Sequence, residues 1–297
     1  MVGYVYVLCA AALWGLIGPL SKLAFAAGMD TMEVAFWRTT AAWVLFAGQA
    51  VWKRETRIAP RDMPAVVGFG VIGIGGLFGT YMVAVQAGGA ALASVLLYTA
   101  PAWVALLSWL FLGEPMGGFK MAAVAATVTG VAGVSAGPGL AGGAGISATA
   151  ILFGLLSGIT YALYYIFGKY YLSRYKTPTL FLYALPVGAL CLLPFTHFTA
   201  FTVRGGLSCL ALAIFSTYGA YTFYYAGLKR LEATRASVVA SLEPLVAAVL
   251  AYFLFGECFT SLGYLGSGLI IGSVLLTIWD GARERLRAPL PPAGKPA

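Results

Sequence analysis

Apolar residues dominate this chain in runs of about twenty, and short stretches rich in glycine, proline and charged residues separate the runs. A helix of about twenty apolar residues crosses a hydrocarbon core of about 30 Å. Hydropathy and the short stretches that separate the apolar runs together predict ten membrane-spanning helices. The predicted spans, numbered 1 to 10, are 4–28, 31–51, 62–86, 89–112, 116–136, 147–172, 177–195, 205–228, 233–256 and 260–280. We therefore expect an all-α integral membrane protein.

Two of these spans match each other at an offset of 143 residues, over residues 93–114 and 236–257. Eight of the 22 paired positions are identical. Agreement at alanine and leucine follows from an apolar composition alone, but paired serine, proline and Gly-Glu positions are harder to obtain by chance. These pairs are Ser94/Ser237, Pro101/Pro244, Gly113/Gly256 and Glu114/Glu257. The matches indicate an internal duplication.

The duplication predicts how the chain is organised. Each half holds five spans, an odd number, so the second half enters the membrane from the opposite side and the repeats are inverted. We expect a first five-helix repeat over 1–136, an uncharged outer linker over 137–146, a second repeat over 147–280, and a basic, proline-rich cytoplasmic tail over 281–297. Inverted repeats are typical of alternating-access transporters, which hold the substrate near the midplane in a central cavity between the halves.

Charge predicts the orientation. Only 9% of the residues are charged, against about 25% in soluble domains. With both termini in the cytoplasm, 15 of the 18 basic residues lie on that side, and only Arg204 lies in an outer loop, as the positive-inside rule requires. The net charge of +8 therefore indicates a membrane surface and not a nucleic-acid partner. We expect a multi-pass protein of a bacterial inner membrane, surrounded by lipid, with no obligate protein partner.

The sequence offers little for catalysis or for a cofactor. The four cysteines stand singly, without the spacing of a zinc site or a disulfide framework, so no metal or other cofactor is expected. A membrane enzyme would need clustered acids, histidines or metal ligands. The chain has one histidine, His197 in an outer loop, and no carboxylate pair within a span. A purely structural scaffold, in turn, would not require mirrored proline breaks.

The mirrored prolines mark the predicted binding site. A proline near the middle of a helix removes one backbone hydrogen bond and displaces the carbonyl four residues earlier, here Leu97 and Ala240. Such carbonyls must face protein or a wet cavity, and a matched pair of interrupted helices favours a cavity over two packing kinks. Small or polar residues share the proline faces: Ser94, Tyr98, Pro101, Ala105 and Ser108 on span 4, and Ser237, Ser241, Pro244, Ala248 and Ala251 on span 9.

Tyrosine normally collects at membrane interfaces, but several tyrosines here lie within spans. They either hold helices together or line a site that grips an apolar or aromatic side chain while hydrogen-bonding a polar head. The tyrosines expected in the site are Tyr81, Tyr98, Tyr161, Tyr165, Tyr221 and Tyr224.

Each charged side chain within the spans has two possible roles, one functional and one structural. Glu243 is the deepest, and is either a functional carboxylate or part of a structural ion pair. Lys22 and Arg38 lie within about two turns of the outer surface, where they either snorkel to it or recognise a carboxylate at an outer vestibule.

Two further expectations concern packing. The glycines of span 3 lack the Lys-Ser/Thr ending of a phosphate loop, so they indicate close helix packing, and the Gly-Glu pairs are expected only to end helices. Val124 and Ile270, on spans 5 and 10, are expected to face lipid.

These motifs resemble the ten-helix drug/metabolite transporter superfamily of the EamA type, and within it the YddG-like amino-acid exporters, over residues 4–280. The resemblance implies a central cavity lined chiefly by spans 1, 3, 4, 6, 8 and 9, with spans 5 and 10 peripheral, and it adds Trp14 to the cavity residues. The residues on which the resemblance rests are Leu13-Trp14-Gly15, Lys22, Arg38, Pro101 with Gly113-Glu114, and Glu243-Pro244 with Gly256-Glu257.

The resemblance implies a secondary transporter that exports amino acids, aromatic or other apolar ones among them, or related small metabolites. The alternative on the same fold is efflux of hydrophobic cations or drugs attracted by Glu243. Organic phosphates would call for a deep pair of basic residues, whereas Lys22 and Arg38 are predicted near the outer end. Proton-coupled and facilitated transport both stay open.

Overall fold

The computed structural model describes residues 1–135, 147–256 and 260–287. Ten helices lie within these residues, as predicted, and eight of them are long and apolar enough to cross a membrane. The tenth helix continues beyond the predicted end at residue 280. The helices are α1 Val2–Phe25, α2 Thr31–Trp52, α3 Met63–Ala90, α4 Leu92–Leu112, α5 Gly118–Ser135, α6 Ala148–Tyr171, α7 Thr177–Phe195, α8 Val203–Leu228, α9 Ala233–Leu254 and α10 Ser261–Arg287. The predicted linker over 137–146 and tail residues 288–297 lie outside the described residues.

The matched helices α4 and α9 run in opposite directions. Glu114 follows the C-terminal end of α4, and its carboxylate accepts hydrogen bonds from the amides of Ala233 and Thr234 at the N-terminal end of α9. Equivalent ends of the two helices therefore lie at opposite ends of the bundle, so the repeats are inverted. We call the end that carries Glu114, Lys120, Lys169, Arg174 and Arg235 the basic end, and the other the opposite end.

Both matched helices break at equivalent positions. Helical geometry stops in α4 at Tyr98 (φ −78°, ψ 9°) and in α9 at Ser241 (φ −68°, ψ 4°). Pro101 and Pro244 then lie in the first turn of the next helical segment, where a backbone N–H is not needed. The prolines therefore begin new helical segments, and the two helices are interrupted there.

Glycine ends both matched helices. Gly113 and Gly256 adopt left-handed backbone angles, with φ of 67° and 69°. A side chain would make this conformation unfavourable by about 1–2 kcal/mol, so glycine is the residue that ends a helix in this way. Glu257 lies outside the described residues.

The helices associate across the repeats. α6 packs on α3 and α4, and α1 packs on α8 and α9, so each half contributes one helix to the other half's group. α2 packs on α7, and α5 packs on α10. The two groups that meet at the centre of the bundle are therefore α3/α4/α6 and α1/α8/α9.

Glycines let two helix pairs, α3/α7 and α5/α10, approach closely. A side chain on Gly70 of α3 would collide with the Ala184 carbonyl of α7, which agrees with the close packing expected of span 3. In the α5/α10 pair, Gly130 lies directly against the Gly266 backbone. Small residues at contacts of this kind are the usual means by which membrane helices pack backbone to backbone.

The α5/α10 contact also corrects an expectation. Ile270 packs on Gly130, and Val124 packs on Ala105 and Val238. Both Val124 and Ile270 are buried, although they were expected to face lipid. Composition alone could not separate the two faces of these helices, because both faces are apolar.

Candidate functional site

A cavity of about 230 Å³ lies at the centre of the bundle, at the level of the two helix breaks. Its walls come from α1, α2, α3, α4, α6, α8 and α9. The sequence-predicted residues that line it are Trp14, Arg38, Tyr81, Ser94, Tyr98, Tyr161, Tyr165, Tyr221, Tyr224 and Glu243. The structure therefore brings together most of the side chains that the sequence singled out, from both repeats.

The other predicted residues lie elsewhere. Ser237 and Ser241 are buried, and their hydroxyls donate to backbone carbonyls of their own helix at 2.8 and 3.0 Å. This local bonding is common for serine in helices. Pro101 is buried beneath the cavity, Pro244 is half-buried, and Lys22 lies in the last part of α1. None of these five side chains lines the cavity.

The carbonyls at the α4 break face protein. The Leu96 carbonyl accepts the Thr99 hydroxyl at 2.6 Å. The carbonyls of Leu96 and Leu97 both lie against Gly158 of α6, where an added Cβ would sit 2.8 Å from the Leu96 oxygen. Glycine at position 158 therefore lets α6 cover the break, where the Thr99 hydroxyl satisfies the Leu96 carbonyl.

Glu243 begins the second segment of α9 and directs its carboxylate into the cavity. The Tyr161 hydroxyl donates to Glu243 Oε2 at 3.2 Å, and the Tyr98 hydroxyl faces the same carboxylate. A carboxylate within a membrane-spanning helix needs such donors, because burying it without them is costly. Glu243 therefore provides a hydrogen-bond acceptor on one wall of the cavity, and the two tyrosine hydroxyls fix its position.

Arg38 reaches the same cavity from α2. Its guanidinium lies 5.9 Å from the centre of the Phe78 ring and close to Tyr164 and Tyr221. Within the part of the chain that the structure describes, Arg38 forms no ion pair, so its donors are available to a ligand. Arg38 lies about two turns from the start of α2, where it was expected, and it lines the cavity at that level.

Aromatic rings form the wall between these charges. Trp14 of α1 packs on Tyr224 and Tyr221 of α8, with ring centres 5.1 and 6.1 Å apart, and Tyr165 of α6 packs on Tyr224 at 5.2 Å. Edge-on and tilted pairs of this kind each add about 0.5–1.5 kcal/mol beyond their buried area. The wall thus joins three helices in a fixed arrangement.

Several lining residues were not predicted from the sequence. Three of them are Ile17, Leu77 and Phe78. An apolar residue in an apolar helix carries no signal that separates a cavity wall from a lipid contact. Tyr164 did carry a signal, because it shares the face of α6 that holds Tyr161 and Tyr165.

The chemistry of the cavity follows from these neighbours. A guanidinium can bind a carboxylate through two parallel hydrogen bonds. A carboxylate held by two hydroxyls can accept an ammonium, and the aromatic wall can enclose an apolar side chain. The arrangement therefore complements a small molecule that carries both charges.

Comparison with protein families identifies the fold. The model of the EamA-like transporter family matches residues 1–136 and again 148–279. The chain belongs to the EamA-like transporter family. Its ten-helix EamA-like fold is that of an integral membrane protein, and transport is the function of the family.

Three curated relatives of this EamA-like chain cover nearly all of it. An uncharacterized transporter of Archaeoglobus fulgidus is 29% identical over 88% of this chain and 92% of its own. The uncharacterized inner membrane transporter YicL of Salmonella typhimurium is 27% identical over 96% and 98%. A probable terminal-alkyne amino-acid exporter of Streptantibioticus cattleyicolor is 29% identical over 89% and 92%.

One solved crystal structure supports the EamA-like fold from geometry. It superposes with a TM-score of 0.82 and covers 96% of this chain and 99% of its own, at 18% sequence identity. At that identity the likeness concerns the fold alone.

Proposed function

We propose that this EamA-like transporter exports amino acids with apolar or aromatic side chains. The observation that carries the proposal is that Arg38, Glu243 and several aromatic rings line one cavity. In this arrangement the substrate carboxylate binds Arg38, its ammonium binds Glu243, and its side chain packs against Trp14 and Tyr221. The similarity to a probable amino-acid exporter supports the same substrate class.

Two features count against efflux of hydrophobic cations or drugs. The cavity of about 230 Å³ is smaller than the roughly 300–1,000 Å³ clefts that hold drug-sized ligands. Arg38 in the cavity also repels a lone cation, whereas it attracts the carboxylate of an amino acid. A lipid-modifying enzyme would need catalytic groups that this cavity does not offer in its wall, so we infer transport without covalent chemistry.

The proposed orientation in the membrane follows from the charge distribution. We infer that the basic end is cytoplasmic, because lysine and arginine are retained on that side of membranes. Both termini are then cytoplasmic, and the protein is placed in the inner membrane, as its Salmonella relative is named. Alternating access would carry the substrate from the basic end to the opposite end through the cavity between the inverted halves.

A matched set of ligands tests the substrate class. In liposomes that contain only this protein, we expect labelled phenylalanine or leucine to be taken up, and excess amino acid to compete. Phenethylamine, which lacks the carboxylate, and phenylpropionate, which lacks the ammonium, are expected to compete weakly. Strong competition by the amine with none by phenylalanine would instead support cation efflux.

Substitutions test which charged group of the substrate binds to which charged side chain of the cavity. Arg38→Gln is expected to weaken phenylalanine binding by about ten- to a hundredfold, since a hydrogen bond to a charged group contributes about 1.5–3 kcal/mol. It should leave the weak binding of phenethylamine unchanged, because this ligand has no carboxylate. Arg204→Gln, which removes an arginine outside the cavity, is the matched control. Equal effects of the two substitutions would contradict the proposal.

Glu243 tests both recognition and coupling. Glu243→Gln is expected to weaken phenylalanine binding while phenylpropionate competition is kept. If Glu243 also exchanges a proton with the substrate, the variant will lose uptake driven by a pH gradient and keep counterflow of phenylalanine. Unchanged flux and unchanged gradient dependence would reduce Glu243 to a structural residue.

A further inference from the structure

Glu114 does more than end a helix. Its buried carboxylate accepts hydrogen bonds from the Ala233 amide at 2.5 Å, the Thr234 amide at 3.2 Å and the Thr234 hydroxyl at 2.9 Å. These amides begin α9, where the first N–H groups of a helix have no partner within it. A carboxylate at this position satisfies them and complements the positive end of the helix dipole.

Lys169 of α6 makes the complementary contact on the other side of the same turn. Its ammonium donates to the carbonyls of Leu228, at the end of α8, and Leu231, at 2.9 and 2.5 Å. The last carbonyls of a helix are also unpartnered within it, and a cation there complements the negative end of the dipole. The turn over residues 228–234 is therefore held by the Glu114 carboxylate and the Lys169 ammonium, and the Lys120 ammonium pairs with Glu232 of the same turn at 2.8 Å.

These contacts join the two helix groups that meet at the cavity. Glu114 and Lys169 belong to the α3/α4/α6 group, whereas the turn they hold belongs to the α1/α8/α9 group. If the groups separate at the basic end, both contacts must break. We call this pair of contacts the clamp.

Two hydroxyls between the cavity and the clamp are buried without a partner in the described residues. Ser108 and Tyr224 have exposed fractions of 0% and 1%, and neither side-chain oxygen makes a hydrogen bond. Ser108 lies on α4 between Tyr98 in the cavity and Glu114 at the clamp. Buried hydroxyls are nearly always hydrogen-bonded, and water entering between the groups would supply both partners.

We propose that Glu114 and Lys169 form the gate at the basic end of the protein. In the closed state they clamp the turn between α8 and α9, and their release opens a path from the cavity past Ser108 and Tyr224. The path matters for transport only if the proposed function holds, but opening and closing of the clamp do not depend on the identity of the substrate.

Cysteine accessibility tests the gate without a substrate. In a chain whose four native cysteines are replaced, Ser108→Cys reports the closed path and Ser94→Cys reports the cavity rim. In detergent, a small maleimide should label position 94 quickly and position 108 slowly. Adding Glu114→Gln or Lys169→Gln should raise labelling at position 108 by about tenfold, because a hydrogen bond to a charged group is lost. Labelling at position 94 should fall, because in alternating access the opposite end closes when the basic end opens.

Matched controls remove one charge at the same end outside the clamp. Glu55→Gln and Lys176→Gln are expected to leave both labelling rates unchanged. If Ser108→Cys does not fold, Ser237→Cys is the second reporter, since it is buried on the basic-end segment of α9.

Each outcome decides the proposal. Opposite changes at 94 and 108 support the gate, even if no amino acid is transported, in which case only the substrate class fails. A rise at both positions shows general loosening and overturns the gate. Unchanged labelling in the Glu114 and Lys169 variants also overturns it, even where amino-acid transport is observed.

Discussion

Residues 92–97 of α4 and residues 235–240 of α9 are equivalent in the two repeats, but their surroundings differ. All six residues of the α9 segment are buried, whereas in the α4 segment only Ala93 is. Both segments lead to the same kind of break, at Tyr98 and at Ser241, so backbone geometry does not cause the difference. The difference reports the conformation: the bundle is closed at the basic end and open at the other.

The two segments also differ in charge. Arg235 of α9 pairs with Glu232 at 3.0 Å, Asp280 at 2.9 Å and Glu284 at 2.6 Å. The first-repeat counterparts of Arg235 and Glu232 are Leu92 and Gly89, which have no charge. The comparison shows that the duplication preserves the break, whereas the charged pair Arg235 and Glu232 is not repeated at positions 92 and 89.

The largest effect is expected from removing that charge. Arg235→Leu installs the residue that the first repeat carries and leaves the buried Asp280 without its cation. Breaking a buried pair from one side costs about 3–5 kcal/mol. We expect a clearly lower melting temperature in detergent.

The control for Arg235 is Arg230→Leu, because Arg230 is exposed, donates to the Ala226 carbonyl of its own helix end and lies over the Tyr6 ring. Its expected effect on melting is small, since exposed charges contribute little. Equal melting shifts for the two variants would show that the Arg235 network does not stabilise the closed end.

A second prediction uses an equivalent pair of positions. Leu97 lines the cavity and its counterpart Ala240 is buried. In a cysteine-free chain, Leu97→Cys is expected to react with a maleimide at least about tenfold faster than Ala240→Cys, because a buried thiol reacts only after local opening. Reversed rates would mean that the bundle in solution is closed at the opposite end instead.

The labelling of Leu97→Cys and Ala240→Cys can also be measured in the Arg235→Leu variant. If Arg235 stabilises closure at the basic end, Arg235→Leu should bring the two labelling rates closer together. An unchanged ratio of the two labelling rates would show that Arg235 stabilises the fold without determining which end is closed.

The ten helices, the inverted repeat and the tyrosine faces of α6 were predictable because each depends on local pattern. Apolar length specifies a span, and a repeat of five spans specifies inversion. Tyr161 and Tyr165 were found because tyrosine inside a span is unusual enough to carry a signal.

The positions of other residues depended on packing that no local pattern encodes. Arg38 reaches the cavity because α2 packs on α7, a contact that hydropathy does not predict. Ser237 and Ser241 share a helix face with Pro244, but they are buried because the basic end is closed. A single sequence encodes both states of a transporter, so it predicts the face that lines the path and not which half of it is open.

The smallest effect is expected at a third contact of the basic end, outside the clamp and the Arg235 network. Asp62, before α3, accepts a hydrogen bond from the Tyr175 hydroxyl at 2.7 Å and pairs with Arg174 at 3.3 Å. These contacts connect the two repeats through the α2–α3 and α6–α7 turns. Arg174 is 42% exposed, so solvent screens its attraction for Asp62.

This contact predicts a weak pH dependence with a defined sign. The Tyr175 hydroxyl, and with it Arg174, holds the pKa of the Asp62 carboxyl below its ordinary value of 3.8. A carboxyl whose pKa is lowered on folding stabilises the folded state above its ordinary pKa, and the contribution is lost as pH falls through the folded value. Asp62→Asn should therefore lower the melting temperature slightly at pH 6, and the difference from the parent should shrink as the pH is lowered below about 4. Asp30→Asn is a poor control because that carboxylate caps α2. Glu55→Gln is the better control, because within the described residues the Glu55 side chain forms no ion pair. A difference between Asp62→Asn and the parent that grows toward low pH would contradict the assignment, since it would require the carboxyl to stabilise the fold in its protonated form.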